Sequence, residues 1–146
     1  MADYFKERDK ETTIRLLGIR EDLPEFCDEF FVGIEPQTTA LTRLNYAYDL
    51  RIFFDYLVKR VSYFKLKKDS KDIELRDLER ITLTHLEAFI EYLSYYEFDG
   101  KEFSNGERGK ARKISTVRTF FKYFYNKDKL SQNIASKVKV PKQHEK

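Results

Sequence analysis

The segment TTALTRLNYAYDLRIFFDYLVKR, residues 38–60, carries the clearest periodicity in the chain. Its large apolar side chains recur every three or four residues, so they fall on one face of an α-helix. Thr38 or Thr39 is the expected N-cap, because a hydroxyl accepts a hydrogen bond from a backbone N–H of the first helical turn. The segment therefore predicts a long amphipathic helix, and the residues expected on its buried face are Tyr46, Leu50, Phe53, Leu57 and Val61.

A second, narrower apolar stripe follows the other side of this helix. It consists of Leu44, Tyr48 and Ile52. Because most apolar stripes are buried, we expect it to pack under the preceding helix; a surface for a partner is the less favoured alternative. That preceding helix is predicted over residues 23–34, with Pro24 near its start, acidic residues in its first turn, and Gly33 and Pro36 closing it. Its aromatic residues Phe26, Phe30 and Phe31 are available for burial.

The remaining segments predict shorter or less regular elements. Residues 2–18 are charged and weakly periodic, which favours a short helix or a frayed arm with Gly18 as a possible end. Residues 62–72 read as a polar connection. A helix is expected over 81–98, capped either by Thr84 with Glu87 or by Thr82. His85 is then a surface residue of the first turn, because no second ligand or nucleophile lies near it in the sequence.

The C-terminal third begins with a loop and continues into a basic helix. Residues 99–109 contain three of the five glycines and predict a loop. The segment ARKISTVRTFFKYFYNK, residues 111–127, places five cationic and five aromatic side chains in seventeen positions. A turn, a short helix near 134–138 and an extended basic tail broken at Pro141 are expected to follow.

Composition favours an all-α domain. The chain has 146 residues, 41% of them hydrophobic, with only 5 Gly and 3 Pro, which suits a single core built from long helices. A single cysteine and two distant histidines make a disulfide framework, a metal site or a cofactor site unexpected. No apolar run reaches the roughly 18–20 residues of a membrane span and there is no signal peptide, so a soluble, cytoplasmic protein without a membrane or small-molecule partner is expected.

The net charge of +3 conceals a strong asymmetry along the chain. Residues 1–36 contain 5 Lys or Arg and 10 Asp or Glu, whereas residues 101–146 contain 13 Lys or Arg and 4 Asp or Glu. Such a distribution slightly favours a polyanionic partner for the C-terminal third, although lysines scattered over a surface would give similar numbers.

Helical geometry separates the cations of 108–127 from the aromatic residues. If Arg108 is set at zero, then Arg112, Ser115, Thr119 and Lys122 cluster within about 40° of it, with Arg118 at the edge. The opposite side is apolar and consists of Ile114, Val117, Phe120, Phe121 and Phe124. No Asp or Glu interrupts this stretch, whereas a merely solvated helix usually mixes signs. A face of cations and hydroxyls suits duplex nucleic acid better than it suits the stacked bases of a single strand.

Two segments together resemble the N-terminal core-binding domain of tyrosine recombinases, the family of phage and transposon integrases. The 38–60 helix is similar to that family's pattern T-x3-Y-x2-DL-x2-F-x2-YL, beginning at Thr42, and residues 110–142 are similar to R-x-LS-x-LR-x-FF-x-YL…NP…PK. ITLTHLEAFIEYL, residues 81–93, resembles the family's intervening helix. The likeness covers roughly 20–142 and departs from the pattern at Asn133-Ile134, where the family commonly has Asn-Pro.

This resemblance implies a four-helix, SAM-like orthogonal bundle that lies on one side of duplex DNA. It implies a core-binding domain at 21–140, a short helix or arm at 1–20, and the start of a basic linker to a separate catalytic domain at 141–146. The family's catalytic tyrosine, arginines, lysine and His-x-x-Arg motif lie in that other domain, and nothing here matches them. The chain is therefore expected to bind DNA in integration or recombination without catalysing a reaction itself.

Carried over position by position, the resemblance implies a set of DNA-facing residues. On the last long helix they are Arg108, Lys110, Arg112, Ser115, Arg118, Thr119 and Lys122; on the 38–60 helix they are Thr42, Arg43 and Asn45. Arg43 is equally expected to pair with an acidic residue of the 23–34 helix. A solvated loop is the favoured interpretation of Lys65, Lys67 and Lys68, with contact to backbone phosphate as the alternative.

Two further hypotheses concern partners. The family's members contact neighbouring protomers on DNA, and the acidic 23–34 helix, with Phe30 and Phe31, is a candidate for such a surface. Alternatively, the chain is a stand-alone helical module whose basic face docks an acidic protein. DNA and an acidic partner are distinguished by whether binding prefers duplex DNA over other polyanions.

Overall fold

The computed structural model describes residues 2–142 and contains five α-helices in that range: α1 Ala2–Arg20, α2 Cys27–Ile34, α3 Ala40–Arg60, α4 Leu83–Tyr92 and α5 Glu107–Asn126. Two short strands, β1 Tyr96–Phe98 and β2 Lys101–Phe103, form an antiparallel hairpin. The protein is 68% helical, which confirms the all-α helical bundle expected from the sequence. Residues 143–146 of the expected linker lie outside the described residues.

The core is a single cluster to which every α-helix contributes. α3 and α5 supply most of its large side chains, because each presents a continuous apolar face. Pairs of aromatic rings connect the helices. The ring centroids of Phe30 in α2 and Phe120 in α5 are 5.1 Å apart, and so are those of Phe53 in α3 and Phe89 in α4. Both pairs meet edge to face. This geometry contributes about 0.5–1.5 kcal/mol per pair beyond the burial of apolar area.

α1 is longer than the sequence suggested. The helix continues through Gly18 to Arg20 and packs along α3, with Leu16 and Ile19 buried. The second stripe of α3 is accordingly covered, and Leu44 and Ile52 are buried. α3 as a whole packs more extensively on α1 than on the helix at 23–34.

The boundaries of α2 also differ from the prediction. Pro24 lies in a turn before the helix, and Gly33 lies inside the helix instead of closing it. A Cβ at Gly33 would collide with the hydroxyl group of Tyr123, so glycine permits α2 and α5 to approach each other closely. The same Tyr123 hydroxyl donates a hydrogen bond to the carbonyl oxygen of Glu29 at 3.2 Å, which ties the two helices together.

The connection from α3 to α4 is organised around a buried acid. It forms three 3-10 turns, Phe64–Leu66, Ser70–Asp72 and Leu75–Arg80. Asp77 accepts hydrogen bonds from the backbone N–H of Glu74 and the hydroxyl of Tyr63, and it pairs with Lys67 at 3.0 Å. Burial would raise the pKa of the Asp77 carboxyl, but these hydrogen bonds and the Lys67 ammonium hold that pKa below its ordinary value.

Thr82, and not Thr84 with Glu87, caps α4. Its hydroxyl accepts from the backbone N–H of His85 at 3.2 Å, and the imidazole Nδ1 of His85 accepts from the backbone N–H of Thr82 at 3.0 Å. His85 thus takes the place that Glu or Gln holds in an ordinary capping box. Burial lowers the pKa of His85, and the neutral imidazole is the form whose Nδ1 can accept this hydrogen bond.

Candidate nucleic-acid interface

α5 has the two-sided character that its sequence predicts. All five residues expected on its apolar side, from Ile114 to Phe124, are buried. On the other side Arg108, Arg112, Ser115, Thr119 and Lys122 are exposed, while Lys110 and Arg118 are half-buried. The aromatic rings of the buried side thus support the helix from within, and the cations and hydroxyls face outward.

Four of the predicted residues line one concavity with the turn that follows α5. Its volume is about 260 Å³, and its lining residues are Ser115, Arg118, Thr119, Lys122, Asn133 and Ser136. Asn133 and Ser136 come from the 3-10 turn Ile134–Lys137 and its N-cap. Among the described side chains, those of residues 6–142, neither Arg118 nor Lys122 has an ion-pair partner. The concavity is therefore cationic and carries hydroxyl groups on both of its walls.

Arg112 is held by a carboxylate of α3. Its guanidinium Nη2 lies 2.9 Å from Oδ1 of Asp49, which is only 1% exposed, while the Arg112 side chain is 56% exposed. The hydroxyl of Thr116 donates to the other carboxylate oxygen at 2.7 Å. Arg112 therefore connects α5 to α3 and still presents part of its guanidinium to solvent.

Burial sets the protonation behaviour of this cluster. Burial raises the pKa of the Asp49 carboxyl, and the Thr116 hydroxyl, Arg112 and the neighbouring Lys113 oppose that rise. Lys113 is also buried and donates to the amide oxygen of Asn105 at 2.9 Å. Burial and the adjacent Arg112 lower the pKa of the Lys113 ammonium. The cluster joins α3, α5 and the segment that follows β2.

The predicted residues of α3 lie at its first turns. Thr39 is the N-cap; its hydroxyl accepts from the N–H of Thr42 and donates to the Thr42 hydroxyl at 3.0 Å. Asn45 is exposed and lies one turn before Asp49. Thr42 and Asn45 therefore lie on α3 in the turns before Asp49. The Asp49–Arg112 pair connects this predicted contact region of α3 to the one on α5.

Arg43 binds backbone oxygens instead of an acidic side chain. Its Nη1 donates to the carbonyl oxygens of Thr38 at 2.7 Å and Glu35 at 3.1 Å, and also contacts the Thr38 hydroxyl. The alternative of an ion pair with the 23–34 helix is therefore wrong. Arg43 fixes the turn that leads into α3, because the carbonyl groups at this helix junction need donors.

The other predicted cations, on α5 and in the connection from α3 to α4, differ in their hydrogen-bond and ion-pair partners. Lys110 donates to the hydroxyl of Ser94 at 2.6 Å, and Arg108 is exposed near the start of α5. Of the lysines in the connection, Lys67 pairs with buried Asp77, and Lys65 and Lys68 are exposed. Lys67 thus has a structural partner.

One surface hypothesis is corrected by the structure. Phe30 and Phe31 are 0% and 1% exposed, so the aromatic residues of α2 belong to the core and form no surface for a neighbouring protomer. Only Val32, in the apolar part of that helix, is largely exposed. The burial of Phe30 and Phe31 agrees with the other role that the helix pattern offered for them, as residues available to the core.

The sequence reasoning missed Asp49, Thr116, Asn133 and Ser136 as parts of the site. For Asp49 a signal existed, since an acidic residue stands among the large apolar residues of the α3 pattern. No local signal could pair it with Arg112, which lies 63 positions further along the chain. Asn133 marked only a departure from the family pattern. Among residues 2–142, no group of His, Cys, Asp and Glu could hold a metal ion, and no helix is long and apolar enough to span a membrane.

The fold and this surface define an all-α bundle with one cationic, hydroxyl-bearing helix face. Tyrosine recombinase XerC of Caldanaerobacter subterraneus subsp. tengcongensis is 35% identical over 100 residues, which is 66% of this chain and 28% of that protein. The enzymes of the same name from two serovars of Leptospira interrogans are each 25% identical over 124 residues, covering 84% of this chain and 33% of theirs. No protein-family model and no solved structure matches the chain.

These relatives confirm the resemblance drawn from the sequence motifs: the chain is a tyrosine recombinase-related N-terminal domain. It spans about a third or less of the length of the curated relatives it matches.

Proposed function

We propose that this domain binds duplex DNA through the exposed face of α5, as part of a site-specific tyrosine recombinase acting in DNA integration or recombination. In this proposal residues 21–140 hold one face of the recombination site, and residues 141–146 begin the linker to a catalytic domain. The domain binds DNA and leaves strand cleavage to that other domain. Neighbouring recombinase protomers on the same DNA are its further proposed partners.

The observation that carries the proposal is the composition of the α5 face. Arg118 and Lys122 have no acidic partner among the side chains of residues 6–142, and the exposed hydroxyls of Ser115 and Thr119 lie beside them on the same face. Cations meet phosphates, hydroxyls reach phosphates or base edges, and an α-helix fits the major groove of B-DNA. The names of the relatives support the same conclusion, since a recombinase acts on DNA.

A second region on α3 extends the proposed footprint. The Asp49–Arg112 pair holds α3 and α5 side by side at this surface, so Thr42 and Asn45 can approach the duplex that α5 contacts. Arg43 supports this region by fixing the turn before α3 through its bonds to backbone oxygens.

The proposal is tested by titrating a fluorescent duplex with the chain and with two charge-matched double variants. Arg118→Gln with Lys122→Gln is expected to weaken binding about tenfold or more, and to reduce the slope of log K against log salt by roughly 0.9 for each phosphate that the two side chains neutralise. Lys65→Gln with Lys68→Gln removes the same charge from the connection and is expected to change binding far less.

Equal losses from the two double variants would contradict a footprint on α5. Competition by polyglutamate distinguishes duplex DNA from an acidic protein partner. If polyglutamate displaces the duplex at equal charge concentration, the face binds polyanions in general and the proposal of a DNA-binding function fails. Circular dichroism establishes that each variant is folded.

A further inference from the structure

The concavity beside α5 has two walls from different parts of the chain. One wall is the α5 face, and the other is the turn after α5, with Asn133 as the N-cap residue of Ile134–Lys137. Its volume of about 260 Å³ has room for several water molecules, which a ligand would displace. None of the site residues assigned from the sequence comes from this second wall.

Two like charges lie one helical turn apart on the α5 wall of the concavity. Arg118 and Lys122 are four residues apart on α5, and like charges at this spacing destabilise a helix by a few tenths of a kcal/mol. No carboxylate lines the concavity to offset them. An anion bound between the two cations would remove this repulsion and gain two charge-assisted hydrogen bonds.

The second wall is held firmly in place. Ala135 and Val138 of the turn are buried in or against the core, and Glu79 accepts hydrogen bonds from the backbone N–H and the hydroxyl of Ser131 just before it. Within the turn, the hydroxyl of Ser136 donates to the carbonyl oxygen of Asn133 at 2.8 Å. Ser136 therefore faces the α5 cations from a fixed position.

Among the described side chains, hydrogen bonding is incomplete at Asn133, where the turn meets the concavity. The side-chain oxygen of Asn133 is buried and has no hydrogen-bond partner. Buried polar atoms normally find a partner. This oxygen is an acceptor and cannot pair with a phosphate oxygen, so Asn133 would bind a phosphate through the NH2 group of the same amide. Asn133 lines the same concavity as Arg118 and Lys122, the two cations that lack a counter-charge.

We propose that the concavity is the seat of one backbone phosphate of duplex DNA, with Arg118 and Lys122 binding the phosphate oxygens and the 133–136 turn closing the seat from the other side. This inference rests on the proposed function and adds Asn133 and Ser136 to the DNA-binding residues. It makes the turn after α5 a determinant of how far the helix enters the groove, because a phosphate held on both sides fixes the register of the protein on DNA.

The experiment is a double-mutant cycle of duplex binding by the whole chain. Ser136→Glu places a carboxylate in the seat and is expected to weaken binding about tenfold and to reduce the salt slope by about 0.9, the contribution of one phosphate. Thr13→Glu adds the same charge on the exposed side of α1 and is the matched control. In the Arg118→Gln, Lys122→Gln background, Ser136→Glu is expected to have little further effect, because the phosphate is no longer held there.

The outcomes separate the two proposals. If the parent binds duplex DNA and loses affinity on Arg118→Gln with Lys122→Gln, but Ser136→Glu behaves like Thr13→Glu, the proposed function stands and the seat is overturned. If Ser136→Glu weakens binding equally in both backgrounds, the seat is likewise overturned, since the turn then acts independently of the cations. Because a glutamate could disturb the turn, Ser136→Ala is measured as well; a loss of about twofold that disappears in the double-variant background supports the seat.

Discussion

Asp49 is the residue that links the core to the proposed DNA-binding face. Its carboxylate is buried, so its charge must be balanced by hydrogen bonds or a counter-ion to avoid a cost of several kcal/mol. Thr116 and Arg112 provide these interactions from α5. Replacing Arg112 by an acid would place a second carboxylate beside the buried Asp49, so charge reversal there is expected to destabilise the bundle as well as weaken binding.

His85 makes the stability of α4 dependent on pH. Because burial lowers its pKa in the folded state, the unfolded state binds more protons between that lowered pKa and the ordinary value of about 6.5. The free energy of unfolding is therefore expected to fall as the pH decreases below about 6.5, and to lose about 1 kcal/mol, the usual worth of a helix cap, when Nδ1 is protonated. Urea unfolding between about pH 7 and pH 5 measures this loss.

His85→Gln is the control for that prediction. The glutamine oxygen can accept the same bond from the backbone N–H of Thr82 but does not titrate. The variant is expected to show a smaller change of stability over this interval than the parent. The pKa of Asp77 is lowered, so the stability that Asp77 contributes is lost only as the pH falls below the ordinary carboxyl range, near 3.9, and does not interfere. An unchanged pH profile in the variant would contradict the role given to the imidazole.

At the scale of elements, α1 provides a matched pair of adjacent leucines. Leu16 is 3% exposed and packs in the core, whereas Leu17 is 51% exposed. Leu16→Ala is expected to lower the free energy of unfolding by about 2–4 kcal/mol, because a cavity forms between α1 and α3. Leu17→Ala is expected to change it by less than about 0.5 kcal/mol. Denaturant unfolding of both variants measures the difference, and similar losses would show that α1 does not pack on α3 in solution.

The long helices were predictable because their apolar periodicity is regular over five or six turns. The helix α1 was not predictable at its full length, since nine of its nineteen residues are charged and the apolar side chains of Leu16 and Ile19 are buried only near its end. The hairpin was missed although the sequence contained its signal. Asp99 and Gly100 adopt positive φ angles of 53° and 76°, as a two-residue turn requires, and Asp-Gly is typical of that turn. The three glycines of the segment suggested a loop instead.

The exposed face of α5 was likewise predictable from helical spacing, because its apolar and cationic residues separate at 100° per residue. The Asp49–Arg112 pair and the second wall of the concavity were not. Both depend on how segments far apart in the sequence pack together. A single sequence shows the periodicity within one helix, but it does not show which helices contact each other. For the same reason the sequence could not show that Arg43 binds backbone oxygens.

At the scale of the whole molecule, one contiguous core implies one cooperative unit. Buried residues from Leu16 to Val138 belong to a single cluster, so no part of the bundle has a core of its own. Single domains of this size usually unfold in one transition. Local opening that exposes the middle of the core should therefore be rare.

Cys27 reports on this cooperativity. It is 1% exposed, and burial raises the pKa of its thiol, with Asp28 adding to the rise. Because the thiolate is the reactive form, labelling by a thiol reagent is expected to require global unfolding. The rate should depend on urea with the slope of the equilibrium unfolding transition. Ser62→Cys in a Cys27→Ser background is exposed and is expected to react at the rate of a free thiol. A much weaker urea dependence for Cys27 would reveal local opening of α2.

The Asp49–Arg112 pair also limits how this surface can be altered, by selection or by an engineer. Arg118 and Lys122 have no ion-pair partner among the side chains of residues 6–142, so either can be exchanged with little loss of stability. Arg112 cannot be changed alone, because its replacement leaves a buried carboxylate on α3. A library that varies position 112 should therefore vary position 49 with it, and new specificities at that point of the face will be found only as paired substitutions.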